Sequence, residues 1–385
     1  MPPPYPSPPQ RDSWFAPLSI DLIVKVFKTT FFHPFIAWII PLCFRAQNMF
    51  WDAPPMLVSI GWAAFITLCW IGGVINDRLA NGVPREVDLS EEVIVITGGA
   101  SGLGLLIAEV YGMRGATVAV LDVAEMENGE ARGVTYYKCD VSDKEQIARV
   151  AAQIEKEVRS PAPAPTSHPA NSPPHSARHP TILINNAAIV LGKPLLSLTL
   201  PEIDRSLSTN LLAHFYTLHT FLPGMIRSPT GGTIVTVSSV IGTVGAANLT
   251  DYAAAKAGIS ALHRSLTAEL RQSHPDTIRT VLVTPGQLST PLFAGVRTPS
   301  SFLAPVVEPV DVAKEVIAAI DGGRGGAIGM PLYARWMDWF NVLPGGAQVV
   351  VRRLAGVDTA MASFVGRRGW KRRGRKGWDR GVLRV

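Results

Sequence analysis

A tyrosine and a lysine four residues apart are the strongest candidates for chemistry in this sequence. Tyr252 and Lys256 stand in the segment DYAAAK, which opens a run whose apolar positions continue to about Leu270 with helical spacing. Residues four apart lie on the same face of a helix. A phenol ordinarily titrates near pH ~10, and a neighbouring ammonium favours the phenolate and lowers that pKa. The pair could therefore exchange a proton with a substrate near neutral pH.

A strand is predicted just before this helix. The β-branched run Thr233–Val237, TIVTV, is typical of a buried strand, and Ser238 and Ser239 follow it. A hydroxyl at this strand end can hold a substrate alcohol or carbonyl oxygen against the phenol. A tyrosine and a lysine at this spacing are more often an ordinary exposed pair, so the interpretation depends on the surrounding elements.

A glycine-rich turn stands near the start of the region with alternating strands and helices. The buried-strand run Val93–Thr97 leads directly into Gly98–Gly104, GGASGLG, and an apolar helix follows. Glycines in this position permit a tight turn and let backbone N–H groups approach a pyrophosphate at the positive end of the helix. The arrangement predicts a dinucleotide site.

An acidic residue follows the second predicted strand, Thr117–Leu121. The carboxylate of Asp122 can accept hydrogen bonds from the hydroxyls of the adenosine ribose, and it would repel a phosphate at that position. The turn Gly99–Leu103 contains no Lys or Arg. Both features favour NAD over NADP. Asp122 could instead serve only to cap the strand end.

The remaining pattern of this region continues to alternate between strands and helices. Several predicted strands are followed by candidate site residues. Asp140 and Val141 follow the strand Val134–Cys139, and the polar and small residues Asn185–Ala188 follow the strand Thr181–Ile184. A helix from about Pro201 to Ile226 carries Asn210, and a strand over Thr277–Thr284 ends at Pro285 and Gly286. The alternation predicts an α/β fold, a Rossmann-type doubly wound parallel sheet, over residues 89–330.

Four motifs in order, TGGASGLG, NNAA, SS followed by YAAAK, and Pro285-Gly286, resemble the short-chain dehydrogenase/reductase family. The resemblance covers roughly Leu89 to Arg367. It is closest to the membrane-associated branch that contains retinol dehydrogenases and 17-beta-hydroxysteroid dehydrogenases. The segments that carry this closer resemblance are Gly192–Leu196, His214-Phe215, Phe221–Met225, Met330-Pro331 and Phe364–Arg367.

The resemblance implies a role for each matching residue. Tyr252 would be the acid/base, Lys256 would hold the nicotinamide ribose and lower the pKa of Tyr252, and Ser239 rather than Ser238 would orient the substrate oxygen. Asn210 would hold a water that links Lys256 to solvent. The residues implied to contact the cofactor, besides Tyr252 and Lys256, are Gly98, Ser101, Gly102, Leu103, Gly104, Asp122, Asp140, Val141, Asn186, Ala187, Gly286, Leu288 and Thr290.

Two features depart from the family pattern. Ala188 stands where the family usually has glycine, so a methyl group narrows the backbone approach without removing a reacting group. Residues 160–180 form a Pro-, Ala- and Ser-rich insertion that is expected to be disordered. It contains His168, His175 and His179, but a Pro-rich loop offers no fixed geometry, so no metal site is expected.

The amino-terminal region is predicted to be a membrane anchor. After a Pro-rich leader over residues 1–30, expected to be disordered, two apolar stretches at 31–44 and 56–75 define an anchor over 31–80. The second has twenty residues without an ionisable side chain, which matches the length needed to cross a bilayer. A single span and a hairpin bent near Asp52–Pro55 both fit the pattern. The scattered cysteines, Cys43, Cys69 and Cys139, indicate neither a disulfide framework nor a metal site.

The carboxyl-terminal region combines aromatic and basic segments. Residues 331–367 include Trp336 and Trp339, and this extension could line a substrate tunnel, contact a membrane or dock on the sheet. Residues 368–385 form a basic tail in a chain with a net charge of +6. Contact with anionic lipid or plain solvation is favoured over nucleic-acid binding.

These features together predict a membrane-anchored oxidoreductase that uses NAD or NADP. Its substrate would be a lipophilic alcohol or the matching carbonyl compound, and the resemblance suggests a retinoid, a steroid or a long-chain aliphatic. The resemblance also suggests the endoplasmic reticulum or lipid droplets, with the catalytic domain facing the cytosol, and a homodimer. The alternatives are a lipid-surface protein of the same fold without catalysis, and a soluble reductase with an unrelated leader.

Overall fold

The computed structural model describes residues 19–129, 131–159, 179–274, 277–296, 298, 300 and 302–366. The chain divides into two compact units. The smaller unit contains residues 10–83 together with 301–303, and the larger contains the chain from Pro84 onwards apart from those three residues. The predicted insertion over 160–180, apart from its last two residues, and the predicted basic tail over 368–385 lie outside the described residues.

The smaller unit is helical. Its helices are α1 (Ile20–Thr29), α2 (Pro34–Ala46) and α3 (Pro54–Asn81). Helices α2 and α3 pack together through small and apolar side chains, with Ala37 and Ala63 almost fully buried. The Trp38 indole donates a hydrogen bond to the Thr67 hydroxyl at 3.0 Å. The two apolar stretches of the predicted anchor thus form a packed pair of helices.

Helix α3 has the properties of a membrane-crossing segment. It is 28 residues long, its most apolar window has a mean hydropathy of 1.9, and 17% of that window is buried within the protein. A helix of this length exceeds the thickness of a hydrocarbon core. Helices α1 and α2 are bent by 54° relative to each other. The prediction of a disordered leader is wrong for residues 20–29, because Ser19 caps an amphipathic helix there.

The larger unit is built on a parallel sheet of seven strands. Their order is β3-β2-β1-β4-β5-β6-β7, so the direction of winding reverses between β1 and β4. The strands are β1 (Val93–Thr97), β2 (Thr117–Asp122), β3 (Val134–Lys138), β4 (Ile182–Asn185), β5 (Gly232–Val237), β6 (Ile278–Pro285) and β7 (Gly326–Met330). This is the predicted Rossmann-type doubly wound sheet, in which ligands bind where the winding reverses.

Helices cover both faces of the sheet, and the remaining helices lie around its carboxyl edge or in the carboxyl-terminal extension. They are α4 (Gly102–Met113), α5 (Lys144–Arg159), α6 (Leu200–Leu207), α7 (Ala213–Arg227), α8 (Ile241–Val244), α9 (Thr250–Ser273), α10 (Pro309–Asp321), α11 (Met337–Phe340) and α12 (Gly345–Leu354).

Two apolar clusters form the core on either side of the sheet. Alternate residues of β1 enter opposite clusters, with Ile94 and Ile96 facing α4 and α10 while Val93 and Val95 face α5 and α7. Because both faces of the sheet are covered, β1 is buried at every position. Its sequence is therefore a continuous apolar run instead of an alternation of apolar and polar residues. The covered sheet holds the carboxyl ends of its strands in fixed positions, and the cleft described below lies at those ends.

Candidate active site

A cleft with a cavity volume of about 190 Å³, partly open to solvent, lies at the carboxyl ends of the central strands. It collects residues that are far apart in sequence, and most of the predicted site residues line it. These are Gly98, Ser101, Gly102, Leu103, Asp122, Asp140, Val141, Asn186, Ala187, Ser239, Tyr252, Lys256, Gly286, Leu288 and Thr290. Two predicted residues lie beside it rather than in its lining, Gly104 in the first turn of α4 and Asn210 in a buried turn.

The glycine-rich turn connects β1 to α4 at one side of the cleft. Gly98 has φ +65°, and a Cβ there would stand 2.7 Å from the Cα of Ala187, so only glycine fits. Ser101 occupies the N-cap of α4, but its side chain makes no capping hydrogen bond, and no acidic residue stands in the first turn. The start of α4 therefore has no side-chain cap, and its first residues, Gly102 and Leu103, line the cleft, where such amides can bind an anion.

Asp122 ends β2 and is engaged by the backbone of two turns. Its carboxylate accepts hydrogen bonds from the Ala100 amide at 3.1 Å and the Ala124 amide at 2.9 Å. Asp122 therefore does cap the end of its strand, which is the alternative that the sequence left open. Each carboxylate oxygen can accept a second hydrogen bond, and Asp122 lines the cleft, so the same side chain can also receive ribose hydroxyls.

Asn186 and Asp140 both shape the cleft through backbone hydrogen bonds. The Asn186 amide group donates to the carbonyl oxygens of Thr97 at 3.2 Å and Gly98 at 3.0 Å, which fastens the end of β4 to the glycine-rich turn. The Asp140 carboxylate accepts from the amide and the hydroxyl of Ser142. In each case the side chain fixes a loop whose backbone borders the cleft.

The two serines that follow β5 have different partners. The Ser238 hydroxyl donates to the Lys256 carbonyl oxygen at 3.0 Å and is 2.7 Å from the Ser260 hydroxyl, so it fastens β5 to α9. The Ser239 hydroxyl donates to the Pro285 carbonyl oxygen at 3.4 Å and accepts from the Ile241 amide at 3.3 Å. It is also close enough to Tyr252 to lower the pKa of the phenol. These contacts favour Ser239 over Ser238 as the residue that faces a substrate oxygen.

Tyr252 and Lys256 lie on the buried face of α9, where they are 3% and 1% exposed. Burial raises the pKa of Tyr252, and the nearby Ser239 hydroxyl lowers it as the smaller effect. The Lys256 Nζ lies 5.5 Å from the centroid of the tyrosine ring and donates to the Val237 carbonyl oxygen at 2.8 Å. Burial lowers the pKa of Lys256 to about 7. Burial is thus the larger effect on the pKa of Tyr252 in the protein alone. The lowering of that pKa by Lys256 stays a prediction.

His214, on α7, is a further buried group near this pair. It is 2% exposed, and within the described residues its Nδ1 atom has no hydrogen-bond partner. Burial, followed by the charge of Lys256, lowers the pKa of His214 to about 3. A neutral imidazole therefore stands on the α7 side of the lysine. In the sequence, His214 stands out only as part of a segment that carries the family resemblance.

Asn210 lies in a π-helical turn, Ser208–Leu212, between α6 and α7. Its side-chain oxygen accepts from the Ile189 amide at 2.8 Å, and its nitrogen donates to the Ile189 carbonyl oxygen at 2.9 Å. The side chain therefore ties the turn to the loop after β4. A π turn disrupts the regular hydrogen bonds of a helix. The role of Asn210 in holding a water stays a prediction.

Ser206 and Asp251 complete this arrangement, and sequence reasoning missed both. The Asn210 nitrogen donates to the Ser206 hydroxyl at 3.2 Å, which in turn donates to the Asp251 carboxylate at 2.5 Å. Both residues are buried, and Asp251 directly precedes Tyr252. The chain of hydrogen bonds thus connects the turn carrying Asn210 to the turn carrying the tyrosine. Only the acidic residue beside Tyr252 could have drawn attention in the sequence.

The loop after β6 borders the opposite side of the cleft. The Gly286 amide donates to the Met330 carbonyl oxygen at 2.7 Å, and Leu288 pairs with Val307. A Cβ on Gly102 would lie 3.7 Å from the Thr290 methyl group, so this loop reaches the glycine-rich turn. A molecule bound in the cleft can therefore contact the glycine-rich turn on one side and Gly286, Leu288 and Thr290 on the other.

The cleft becomes apolar beyond Tyr252. The tyrosine packs in a cluster with Leu249 and Met361, and its ring meets that of Phe293 edge to face at 6.3 Å between centroids. Partly buried apolar side chains surround this cluster, and they are Ala188, Val190, Ile241, Ala246, Phe293, Val296 and Phe364. The methyl group of Ala188, the departure from the family pattern, is thus part of an apolar wall.

The hydrogen bonds of Ser206 generate a prediction about turnover. Ser206→Ala removes the hydroxyl between Asn210 and Asp251, which loosens the π turn without touching the cleft. A hydrogen bond to a charged group contributes about 1.5–3 kcal/mol, so kcat should fall about ten- to hundredfold. The measurement is steady-state kinetics with the melting temperature recorded in parallel, and the KM values should stay near those of the wild type.

Asp251→Asn serves as the conservative partner in this experiment, because it keeps an oxygen that can accept from Ser206. It should retain more activity than Asp251→Ala. An unchanged kcat in Ser206→Ala, alongside a large loss in Asn210→Ala, would show that the Ser206 contact does not position the asparagine.

Comparison with known proteins agrees with this geometry. A family model described as short chain dehydrogenase matches residues 92–160 and 178–300. Short-chain dehydrogenase/reductase family 16C member 6 of Bos taurus is 30% identical over 293 residues, which cover 74% of this chain and 86% of that protein. Epidermal retinol dehydrogenase 2 of Homo sapiens is 32% identical, with coverage of 73% and 87%. Retinol dehydrogenase 10 of Homo sapiens is 28% identical, with coverage of 74% and 88%.

The matched residues contain the glycine-rich turn, the strand ends and the helix that carry the cleft. The chain therefore belongs to the short-chain dehydrogenase/reductase family and is an NAD(P)-dependent enzyme of that family, acting on alcohols.

Proposed function

We propose that this protein interconverts a lipophilic alcohol and its aldehyde or ketone at a membrane, with Tyr252 as the acid/base. The observation that carries the proposal is the buried Tyr252 phenol. It lines the cleft together with Ser239 and stands between the glycine-rich turn and an apolar cluster. A dinucleotide on one side and a lipophilic substrate on the other would meet at this hydroxyl.

The residues of the cleft suit NAD or NADP. The uncapped start of α4 would hold the pyrophosphate, Asp122 the adenosine ribose, and Asp140 and Val141 the adenine. Lys256 would hold the nicotinamide ribose, with Gly286, Leu288 and Thr290 around the amide. When bound, the cofactor supplies or accepts the hydride.

Tyr252 and Ser239 act on the substrate oxygen. A neutral phenol can donate a proton to a carbonyl oxygen as that oxygen gains charge, and the raised pKa of Tyr252 keeps the proton on the phenol until then. In the reverse direction the deprotonated Tyr252 oxygen accepts the proton of the alcohol and becomes the neutral phenol again. Ser239 holds the substrate oxygen in both directions, and the Val237 carbonyl oxygen fixes the position of Lys256 beneath the pair.

The apolar end of the cleft supports a lipophilic substrate. Met361 and Phe364 come from the carboxyl-terminal extension and pack into the cluster around Tyr252. The names of two relatives, epidermal retinol dehydrogenase 2 and retinol dehydrogenase 10, make a retinoid the first substrate to test. A steroid and a long-chain aliphatic alcohol are the other members of the proposed class.

Helix α3 supports attachment to a membrane. We place the protein on the endoplasmic reticulum or on lipid droplets with the larger unit in the cytosol. A homodimer stays a prediction. A protein that kept the fold without catalysis would not require Ser239 and Tyr252 to line the same cleft or Lys256 to be fixed by the Val237 carbonyl oxygen.

The acid/base role predicts the behaviour of Tyr252→Phe. Loss of the hydroxyl should lower turnover about 10²–10⁴-fold, because no other group is placed to transfer the proton. Affinity for NADH should change little, since the lysine remains. The measurements are retinol oxidation or retinal reduction in detergent, and a fluorescence titration with NADH.

Tyr216→Phe is the matched control, because it removes a phenol hydroxyl from α7, where Tyr216 packs in the core beneath the sheet. It should keep wild-type kinetics. Equal turnover in Tyr252→Phe and wild type would exclude the proposed role, and a wild-type protein that fails to bind NADH or NADPH would favour the non-catalytic alternative.

The position of Asp122 predicts a preference for NAD over NADP. Asp122→Asn keeps one accepting oxygen for the turn but removes the charge that repels a ribose phosphate. The ratio of kcat/KM for NADP to that for NAD should rise by about tenfold or more. Glu125→Gln makes the same change of charge at an exposed position nearby and should leave the ratio unchanged. A wild-type preference for NADP would refute the assignment.

The packing of Phe364 predicts a contribution to substrate binding. A Cβ on Gly192 would lie 2.2 Å from the Phe364 ring, so this glycine lets the ring enter the apolar cluster. Phe364→Ala should raise the KM for retinol about tenfold, because it removes an aromatic surface, and leave the KM for NAD unchanged. Phe215→Ala, an exposed residue of α7, is the control. An unchanged KM for retinol would place the substrate elsewhere.

A further inference from the structure

Helix α12 lies on the surface of the larger unit with no buried residue. It has ten residues and begins with two glycines, Gly345 and Gly346, which are poor helix formers. A helix this short is marginal in water, and most helices in proteins depend on packing an apolar face against a partner. Within the described part of the chain, α12 buries no such face, so a partner that covers it is expected beyond those residues.

The orientation of α12 is the reverse of that expected for a surface helix. Ala347, Val350, Val351 and Leu354 share one face by their spacing, and Val350 and Leu354 are 56% and 79% exposed. Arg352 stands on the other face and points into the protein. Its guanidinium donates to the Val244 carbonyl oxygen at 2.6 Å and pairs with Asp358. The polar side of the helix is therefore fastened to the domain while the apolar side faces outward.

Residues before α12 add large apolar side chains that are also exposed. Trp336, Trp339 and Val342 are 62%, 66% and 74% exposed. Soluble proteins rarely expose so many large apolar groups in one segment unless the surface binds something. Trp336, Trp339, Val342, Val350 and Leu354 are called the carboxyl-terminal apolar surface below.

Charge and residue type identify the partner. Tryptophan prefers the boundary between headgroups and acyl chains, because its ring is apolar and its N–H group is polar. Arg353 is exposed beside the apolar face, and the sequence from Arg367 to Lys376 contains seven basic residues and no acidic one. Basic groups next to an apolar helix face complement anionic lipid headgroups, and the chain already carries α3, which has the length and apolarity of a membrane helix.

We propose that the carboxyl-terminal apolar surface binds the headgroup region of an anionic membrane, as a second contact that is independent of α3. In this arrangement Val350 and Leu354 enter the acyl boundary, the tryptophan rings lie at the level of the headgroups, and Arg353 contacts the lipid charges. The amide groups of α12 are then shielded from water.

Hydrogen exchange of the full-length protein in lipid nanodiscs tests this proposal. The discs contain phosphatidylcholine alone or phosphatidylcholine with phosphatidylserine. The amides of residues 337–354 should exchange at least about tenfold more slowly when phosphatidylserine is present, and high salt should remove most of this protection.

Two variants with the same added charge separate the faces of α12. Val350→Glu places a carboxylate on the apolar face and should abolish the protection. Gln348→Glu places one on the other face and should keep it. Both positions are outside the cleft, so NADH binding should be unchanged in both variants.

Three results would overturn the proposal. Equal exchange in wild type and Val350→Glu would show that the apolar face is not embedded. Protection that depends on the number of protein copies per disc, and not on phosphatidylserine, would identify a second copy as the partner. Protection that is the same in both lipids and insensitive to salt would exclude an anionic lipid surface.

Discussion

The attachment of helix α9 to the end of strand β5 is the contact on which the site depends. Lys256 is buried almost completely, and its ammonium group donates to the Val237 carbonyl oxygen at 2.8 Å. The Ser238 hydroxyl bonds the same stretch of helix from the other side. Because a buried amine is costly unless it is hydrogen-bonded, this contact fixes the helix in one position. Tyr252, one turn earlier, is thereby held against Ser239 at the strand end.

The same contact explains how a phenol and a lysine share a site without forming an ion pair. Burial acts on the two groups in opposite directions, since it raises the pKa of Tyr252 and lowers that of Lys256. Each group is therefore shifted toward its uncharged form. A tyrosine and a lysine in this state respond strongly to any charge that enters the cleft, because the low dielectric of the buried site does little to screen it.

The sequence predicted the sheet and most of the cleft, because those features depend on local patterns. Buried β-branched runs mark the strands, and the glycine-rich turn follows β1 directly, so parallel strands bring the turns to one edge. Contacts between distant segments could not be predicted in this way. The hydrogen bond between Ser206 and Asp251 joins residues 45 positions apart, and neither residue type distinguishes a buried partner from an ordinary polar residue.

The helix over Ile20–Thr29 was missed because the proline-rich sequence before it dominated the interpretation of the leader.

The carboxyl-terminal extension contributes to two different surfaces, and its sequence alone did not decide between them. Met361 and Phe364 turn inward to the cluster around Tyr252, whereas the helix that precedes them turns its apolar face outward. The Arg352 contact with the Val244 carbonyl oxygen lies between these two regions and fixes which side of α12 faces the domain. A single arginine thus determines that the valines of α12 are available to a lipid surface instead of the core. A lipophilic alcohol is concentrated in that same lipid, so a segment that both touches the membrane and lines the apolar end of the cleft would shorten the path of the substrate to Tyr252.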